Sequence, residues 1–238
     1  MSRRTAPGRP IRPAAMTDAF DWTYLYDTLP ALLAGLQMTL LVSLLAIVIS
    51  LVIGAAGAAM RLSGNALLVW PARSYAAFIR NTPLLVQLFF IFYGLPAIGL
   101  RLSAFWSGVA CLALWGGSYH LDSFRAGYLG VSHGVKEAAA SLGLKTWQYA
   151  LLIALPIALR TAVPSMLNTS IAMVKNSSYL QAIGLAEMTF VAIDRISLEF
   201  RTIELFAALC ALYLVLVLTM SAAAGRLEQR LQRPFKVR

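Results

Sequence analysis

The sequence predicts an all-α bundle of five membrane-spanning helices, a prediction that follows from its composition, its hydropathy and the spacing of its charges. Of the 238 residues, 59% are hydrophobic and 13% are charged, whereas ordinary soluble domains carry about 25% charged residues. The mean hydropathy is +0.72. A soluble fold of this length cannot bury so much apolar surface, so the composition argues against a soluble enzyme, a disulfide scaffold and a disordered chain.

Four intervals without any charged residue are long enough to cross a bilayer as helices. A span needs about 20 apolar residues, and these intervals contain 33, 20, 20 and 21 residues. They cover residues 28–60, 81–100, 102–121 and 205–225. Because a helix satisfies its own backbone hydrogen bonds, each interval is predicted to span the membrane.

A fifth candidate span, residues 164–193, is long enough but polar. It contains Lys175, Glu187 and several Asn, Ser and Thr residues, and each charge at membrane depth costs about 2.5–3.5 kcal/mol on insertion scales. Such a helix should face protein or a water-filled path rather than lipid. From these residues alone, a cytoplasmic amphipathic helix is an equally good interpretation.

The distribution of basic residues favours the spanning interpretation and sets the orientation. The net charge is +10, and the basic residues lie between apolar runs, as expected of cytoplasmic loops rather than of a nucleic-acid surface. Both the tail 229–238 and the segment 134–160 are basic and should be cytoplasmic, whereas residues 194–204 are mixed in sign. Five spans then place the N-terminus outside and the C-terminus in the cytoplasm.

The N-terminal tail, residues 1–28, disagrees with this orientation because its first 12 residues contain four arginines. We hypothesise that Met16 is the natural start, which mass spectrometry of the native N-terminus would test. The remaining organisation is one domain, residues 29–228, followed by the basic tail 229–238.

The cytoplasmic loop predicted at residues 132–164 contains a short helix. Residues 137–142 are strong helix formers, Gly143 can end the helix in a left-handed conformation, and Thr146 can cap a second helix. Pro156 and Pro164 should interrupt the rest of this loop. The alanines of the short helix form a smooth face on which another protein could dock; an ordinary interfacial loop is the alternative.

The sequence contains no recognisable motif for nucleotide binding, metal binding or catalysis. No phosphate-binding loop is present, and the two histidines stand apart from cysteines and clustered acids. We therefore expect no enzymatic activity, no metal site and no cofactor in this chain.

Several motifs resemble those of a known family of membrane proteins. Glu137-Ala138-Ala139, Gly143 and the Leu-Pro pair ending at Pro156 resemble the EAA signature of bacterial binding-protein-dependent ABC transporter permeases. The sequence RNTPLLVQ at 80–87 and KNSS at 175–178 resemble segments of the polar amino acid subfamily. The resemblance covers residues 16–232. Asp122 departs from it, since a glutamate is usual there.

The resemblance implies a type I, MetI-like permease fold and a role as half of a translocation path for polar amino acids. It also implies a bacterial inner-membrane location and four partners: two ATP-binding subunits, which bind ATP and Mg²⁺, a second permease that is identical or paralogous, and an external solute-binding protein. The expected coupling segment, which would dock on an ATP-binding subunit, comprises Glu137, Ala138, Ala139, Ser141, Gly143 and Pro156.

Polar residues of the fifth candidate span are expected to line the path. They are Asn168, Lys175, Asn176, Ser177, Ser178 and Glu187. Lys175 and Asn176 could meet a carboxylate and Glu187 an ammonium group. Alternatively, Lys175 reaches the interface or pairs with Glu187. The alternative functions are an ion-coupled carrier for a small polar solute and a membrane scaffold that transports nothing.

Overall fold

The computed structural model describes residues 20–232, which form helices joined by short connections without any strand in that range. Residues 1–19 and 233–238 lie outside the described residues, and with them the hypothesised start at Met16 and most of the predicted basic tail. The structure contains nine α-helices within the described range. They are α1 (Trp22–Leu62), α2 (Ala66–Asn81), α3 (Leu84–Phe89), α4 (Ala104–Leu129), α5 (His133–Ser141), α6 (Thr146–Gln148), α7 (Leu155–Asn176), α8 (Met188–Glu199) and α9 (Thr202–Gln232).

Four short segments of other helix types extend these α-helices in the described range. A π-turn, Phe90–Gly94, and a 3₁₀ turn, Leu95–Ile98, continue α3, and a second π-segment, Tyr149–Ala154, joins α6 to α7. A 3₁₀ segment, Ser177–Ile183, continues α7. Helices α2 and α3 meet at an angle of 107°, because Pro83 holds the residue before it in an extended conformation.

Fewer helices than the predicted five are both long and apolar enough to span a membrane. Within the described residues three helices qualify alone, Trp22–Leu62, Thr146–Ile183 and Thr202–Leu231, and the bent pair of α2 and α3 would be a fourth. The remaining predicted span falls on α4, whose 26 residues extend about 39 Å. Its second half is rich in glycine and polar residues, which are buried against protein. This composition is the reason that α4 is not among the candidate spans.

The predicted boundaries of the polar span are wrong. We expected Pro156 and Pro164 to interrupt the chain, but residues 146–183 form one candidate span. Pro156 lies in the first turn of α7, and Pro164 lies inside that helix. A proline is tolerated in the first helical turn, and packing overrides the penalty at Pro164. The second half of the loop predicted at 132–164 is consequently helical.

Glycines allow α1, α4 and α7 to pack closely in the centre of the bundle. A Cβ atom on Gly54 of α1 would lie 2.5 Å from the Cβ atom of His120 on α4, and one on Gly127 would lie 2.4 Å from the carbonyl oxygen of Ala158. A Cβ atom on Gly116 would lie 2.4 Å from the sulfur atom of Met173. Gly54 of α1 thus serves packing within this chain.

The contacts also define two ends of the bundle. Arg201 lies 3.7 Å from Asp21, which brings the starts of α1 and α9 together. The hydroxyls of Ser123 and Ser165 lie 2.8 Å apart, and Gly127 lies against Ala158, which pairs the late part of α4 with the first half of α7. We call the end that carries α5 the α5 end, and the end that carries α8 the α8 end.

Candidate functional site

Helix α5, the predicted coupling segment, ends in the glycine cap that the sequence predicts. Gly143 has φ of +73°, its N–H donates to the carbonyl of Ala140 at 2.9 Å, and the N–H of Leu144 donates to that of Ala139 at 3.1 Å. These two bonds satisfy carbonyl groups at the end of the helix. Helix α5 starts four residues earlier than predicted, at His133.

Most of the surface of α5 is exposed. Ala139 is the buried residue of this helix, whereas Glu137, Ala138 and Ser141 are exposed. Nδ1 of His133 and Oε1 of Glu137 lie 3.1 Å apart. Leu142, just beyond the helix, is 79% exposed. The alanine face and this leucine form a surface suited to close contact with another protein.

The chain turns sharply from α5 into the long helix that contains α7. Lys145 is the N-cap of α6, and its N–H is bonded to Oε1 of Gln148 at 2.8 Å. The predicted cap, Thr146, is instead the first helical residue. Pro156 is exposed in the first turn of α7. Helix α5 is therefore connected by two short links, directly to α4 and to the segment leading into α7.

One face of α7 carries a line of exposed polar side chains. Thr161, Ser165, Asn168 and Lys175 are all exposed, and their spacings of four, three and seven residues place them on the same side of a helix. Two of them, Asn168 and Lys175, belong to the predicted path. We call this line the polar face of α7.

The other predicted path residues are placed differently. Asn176 and Ser178 are half-buried, while Ser177 and Glu187 are wholly buried. Glu187 is the N-cap of α8. Because Lys175 is exposed and Glu187 is enclosed at that cap, the suggested pairing of these two residues is wrong. That Asn168, Lys175, Asn176 and Ser178 line a path stays a prediction.

A cavity of about 350 Å³ lies beside the polar face of α7. Its lining combines charged residues, hydroxyl groups and small residues. The residues are Arg80, Tyr119, Asp122, Ser123, Ala126, Gly127, Thr161, Ala162 and Ser165. The cavity therefore lies between α4 and α7, at the end of α2.

Three charged residues form a cluster at this cavity. The Asp122 carboxylate accepts a hydrogen bond from Arg61 at 3.1 Å and another from Arg80. Arg80 also donates to the carbonyl of Ser118 and lies over the ring of Tyr119, 4.9 Å from its centre. The cluster ties α1, α2 and α4 together.

Sequence reasoning missed this cluster. Arg61, Arg80 and Asp122 each border a charge-free interval, but their spacings of 19 and 42 residues give no sign of contact. The useful signal is their opposite charge beside apolar segments, since charges near a membrane core tend to pair.

Comparison with known proteins identifies the family of the chain. Residues 50–233 match the model of the family described as "Binding-protein-dependent transport system inner membrane component". The chain belongs to this family. Family membership confirms the predicted transport role, favours it over the ion-coupled carrier, and identifies the chain as a transport component rather than a catalytic enzyme.

Individual members of the family are similar to the chain over most of its length. The glutamine transport system permease protein GlnP of Escherichia coli (strain K12) is 33% identical over 215 residues, covering 90% of this chain and 98% of the relative. The octopine transport system permease protein OccM of Rhizobium meliloti is 37% identical over 217 residues, covering 87% of each.

Solved structures support the same family and fold. An amino acid ABC transporter crystallised with histidines contains a chain that is 34% identical, with a TM-score of 0.84, covering 88% of this permease and 98% of that chain. The MetNI methionine ABC transporter in an inward-facing conformation is similar in fold, with 19% identity, a TM-score of 0.68, and 87% and 96% coverage. The predicted MetI-like permease fold is therefore confirmed.

Proposed function

We propose that this permease forms half of a path that imports polar amino acids and that partner ATPase subunits drive it. The observation that carries the proposal is the polar face of α7. A lysine and an asparagine exposed on a candidate spanning helix are costly against lipid. A second permease, identical or paralogous, would cover this face and enclose a water-filled path.

The solute class follows from the relatives. GlnP is named for glutamine, OccM for octopine, and the similar transporter structure contains histidines. A charged lysine and several amide and hydroxyl groups suit a solute with a carboxylate and polar substituents. We therefore infer that the solute is a polar amino acid or a close derivative.

Helix α5 would receive the mechanical work. The ATPase subunits would bind ATP and Mg²⁺, and α5 would dock on one of them through Glu137, Ala138, Ala139 and Ser141. Because α5 connects directly to α4 and to the segment leading into α7, displacing it would act on the two helices that flank the cavity. Gly143 and Pro156 would set the angle of that connection.

The basic residues indicate the orientation that this mechanism needs. In a bacterial inner membrane, the α5 end and the basic tail would face the cytoplasm. The α8 end would then lie outside, where a solute-binding protein would deliver the solute.

Reconstitution of the complete complex would test the proposal. The permease, its ATPase subunits and its binding protein would be placed in proteoliposomes and supplied with a panel of tritiated amino acids, with L-glutamine tested first. We expect uptake of a polar amino acid that requires ATP. Uptake that instead requires an ion gradient and no ATPase would contradict the proposal, and so would an absence of uptake for the whole panel.

A further inference from the structure

The cavity between α4 and α7 combines opposite charges with hydroxyl groups. Arg80 and Asp122 both line it, and so do the hydroxyl-bearing residues Ser123, Thr161 and Ser165. Its volume of about 350 Å³ falls within the range of about 300–1,000 Å³ that small-molecule sites occupy. The cavity is therefore large and polar enough to hold a small charged solute.

The charges beside this cavity do not cancel. Arg61 and Arg80 both bind the single carboxylate of Asp122, so the cluster carries one positive charge in excess. The side chain of Asp122 is 42% exposed and that of Arg80 is 26% exposed, which leaves both groups accessible from the cavity. An excess positive charge with restricted access to water favours the binding of an anionic group.

The guanidinium group of Arg80 is held in place and still has donors available. It donates to the Asp122 carboxylate and to the carbonyl of Ser118, and it lies over the ring of Tyr119. An arginine has five N–H donors, and these two hydrogen bonds use two of them. The planar arrangement of the remaining donors matches the geometry of a carboxylate.

Gln87 fixes the end of α2 that carries Arg80. Its Nε2 donates to the carbonyl of Ile79 at 2.7 Å and to the carbonyl of Thr82 at 2.8 Å, and these two residues flank Arg80. The last carbonyl groups of a helix have no partner within the helix, so the buried Gln87 supplies one for them at the bend. Arg80 therefore projects from a backbone segment that is held on both sides.

We propose that this cavity is a release subsite for an amino acid, in which Arg80 binds the α-carboxylate, Asp122 accepts a hydrogen bond from the α-ammonium group, and the hydroxyl of Thr161 completes the site. The two oxygens of Asp122 offer about four acceptor positions, and the two arginines use two of them. This inference rests on the proposed function and extends it toward the cytoplasm. Asp122 lies seven residues before the end of α4, about 10 Å along the helix, so the subsite lies near the α5 end.

Binding at a release subsite is measured from the cytoplasmic side of the complete complex. Proteoliposomes with the ATPase subunits inside would be loaded with ATP and with increasing concentrations of the unlabelled amino acid that the wild type takes up fastest. The initial rate of uptake of the same tritiated amino acid, supplied outside with the binding protein, would then be recorded. We expect the lumenal amino acid to slow uptake. Its α-amide, which lacks the carboxylate, should require a roughly tenfold higher lumenal concentration for the same inhibition, as the loss of a hydrogen bond to a charged group would.

Three variants connect this inhibition to the cavity, each compared with its own uptake rate in the absence of lumenal amino acid. Arg80→Lys keeps the charge but loses the planar pair of donors, so the half-inhibiting concentration should rise roughly three- to tenfold and the acid and the α-amide should become more alike. The exposed Arg73 of α2 supplies the matched control, Arg73→Lys, which should behave like the wild type. Thr161→Val removes an exposed hydroxyl at nearly constant volume and keeps the inference testable if Arg80→Lys folds poorly. It should raise the half-inhibiting concentration roughly threefold.

Several results would overturn the inference. They are equal inhibition by the acid and the α-amide in the wild type, no inhibition by lumenal amino acid, wild-type inhibition in both Arg80→Lys and Thr161→Val, and an equal effect of Arg73→Lys. A wild type that takes up none of the panel would refute the proposed function and this inference together. Normal wild-type uptake combined with any of the other results would refute the inference alone.

Discussion

The glycine that ends α5 offers a test of coupling that leaves the bundle untouched. Gly143 has φ of +73°, and a Cβ atom added there would meet nothing within 4 Å. The cost of Gly143→Ala therefore arises entirely from the backbone, and the left-handed conformation costs an L-residue about 1–2 kcal/mol. That cost corresponds to a roughly 5- to 30-fold smaller population of the capped conformation.

Two variants serve as controls for this change. Gly64, between α1 and α2, has φ of +70° and also has nothing within 4 Å of an added Cβ atom. Gly64→Ala should create the same backbone strain without altering the connection between α5 and α7. Gly143→Asn should have a smaller effect than Gly143→Ala, because asparagine tolerates the left-handed conformation better.

Coupling would be measured as ATP hydrolysed per molecule of solute taken up by the reconstituted complex. We expect Gly143→Ala to raise this ratio severalfold, Gly143→Asn to raise it less, and Gly64→Ala to leave it near the wild-type value. The melting temperature of all three variants in detergent should stay close to that of the wild type. If Gly143→Ala coupled normally, or if Gly64→Ala were equally impaired, the assignment of α5 as the coupling helix would be refuted.

Particular side chains give four further predictions. Glu137→Lys should leave the protein in the membrane but prevent co-purification with the ATPase subunits and abolish uptake; normal uptake would contradict the role of α5. Gly127→Ala places a Cβ atom 2.4 Å from the carbonyl oxygen of Ala158, so the melting temperature in detergent should fall by several degrees, and an unchanged value would contradict this close approach of α4 and α7. Lys175→Met should leave expression unchanged and reduce the uptake rate at least severalfold; an unchanged rate and affinity would remove Lys175 from the path. The Glu187 carboxyl lies between two candidate spans. Its burial raises its pKa above the ordinary value of 4.5, although hydrogen bonds from two backbone N–H groups act in the opposite direction. The stability that this shift contributes is therefore complete below pH 4.5 and is lost as the pH rises through the raised pKa. The melting temperature of the wild type, measured relative to that of Glu187→Gln, should fall over that pH range. A difference that stays constant with pH would contradict the shift.

Local sequence signals predict the short helix of the proposed coupling segment well. The alanine-rich run, Gly143 and the turn after it depend on residues within ten positions of one another, and the structure contains a helix and a left-handed glycine there. The errors are of one type, because they arise from distant contacts. The sequence predicts a break at Pro164, where packing maintains the helix. It also gives no sign that the predicted span at α4 is largely packed against protein.

The role of Glu187 shows why the site is harder to predict than the fold. Its position in an apolar stretch suggests a charge facing the path, but its side chain instead caps α8. Helix N-caps are usually Ser, Thr, Asp or Asn, so a glutamate gives no capping signal. Its hydroxyl partners, Thr39 and Tyr213, are 148 and 26 residues away in the sequence, and such a separation leaves no local pattern.

The contacts of α4 indicate where the bundle should open when α5 moves. On one side, Asp122 binds arginines from α1 and α2, and glycines bring α1 into close contact with α4. On the other side, near the α5 end, α4 and α7 meet through the hydroxyls of Ser123 and Ser165 and through small residues around Gly127. The first contact is held by ion pairs, whereas the second is made by hydroxyl groups and small residues and lies at the cavity. Because the short links from α5 lead into the helices on both sides of this second contact, we expect α1, α2 and α4 to move together and α7 to separate from them there, so that the cavity widens toward the cytoplasm.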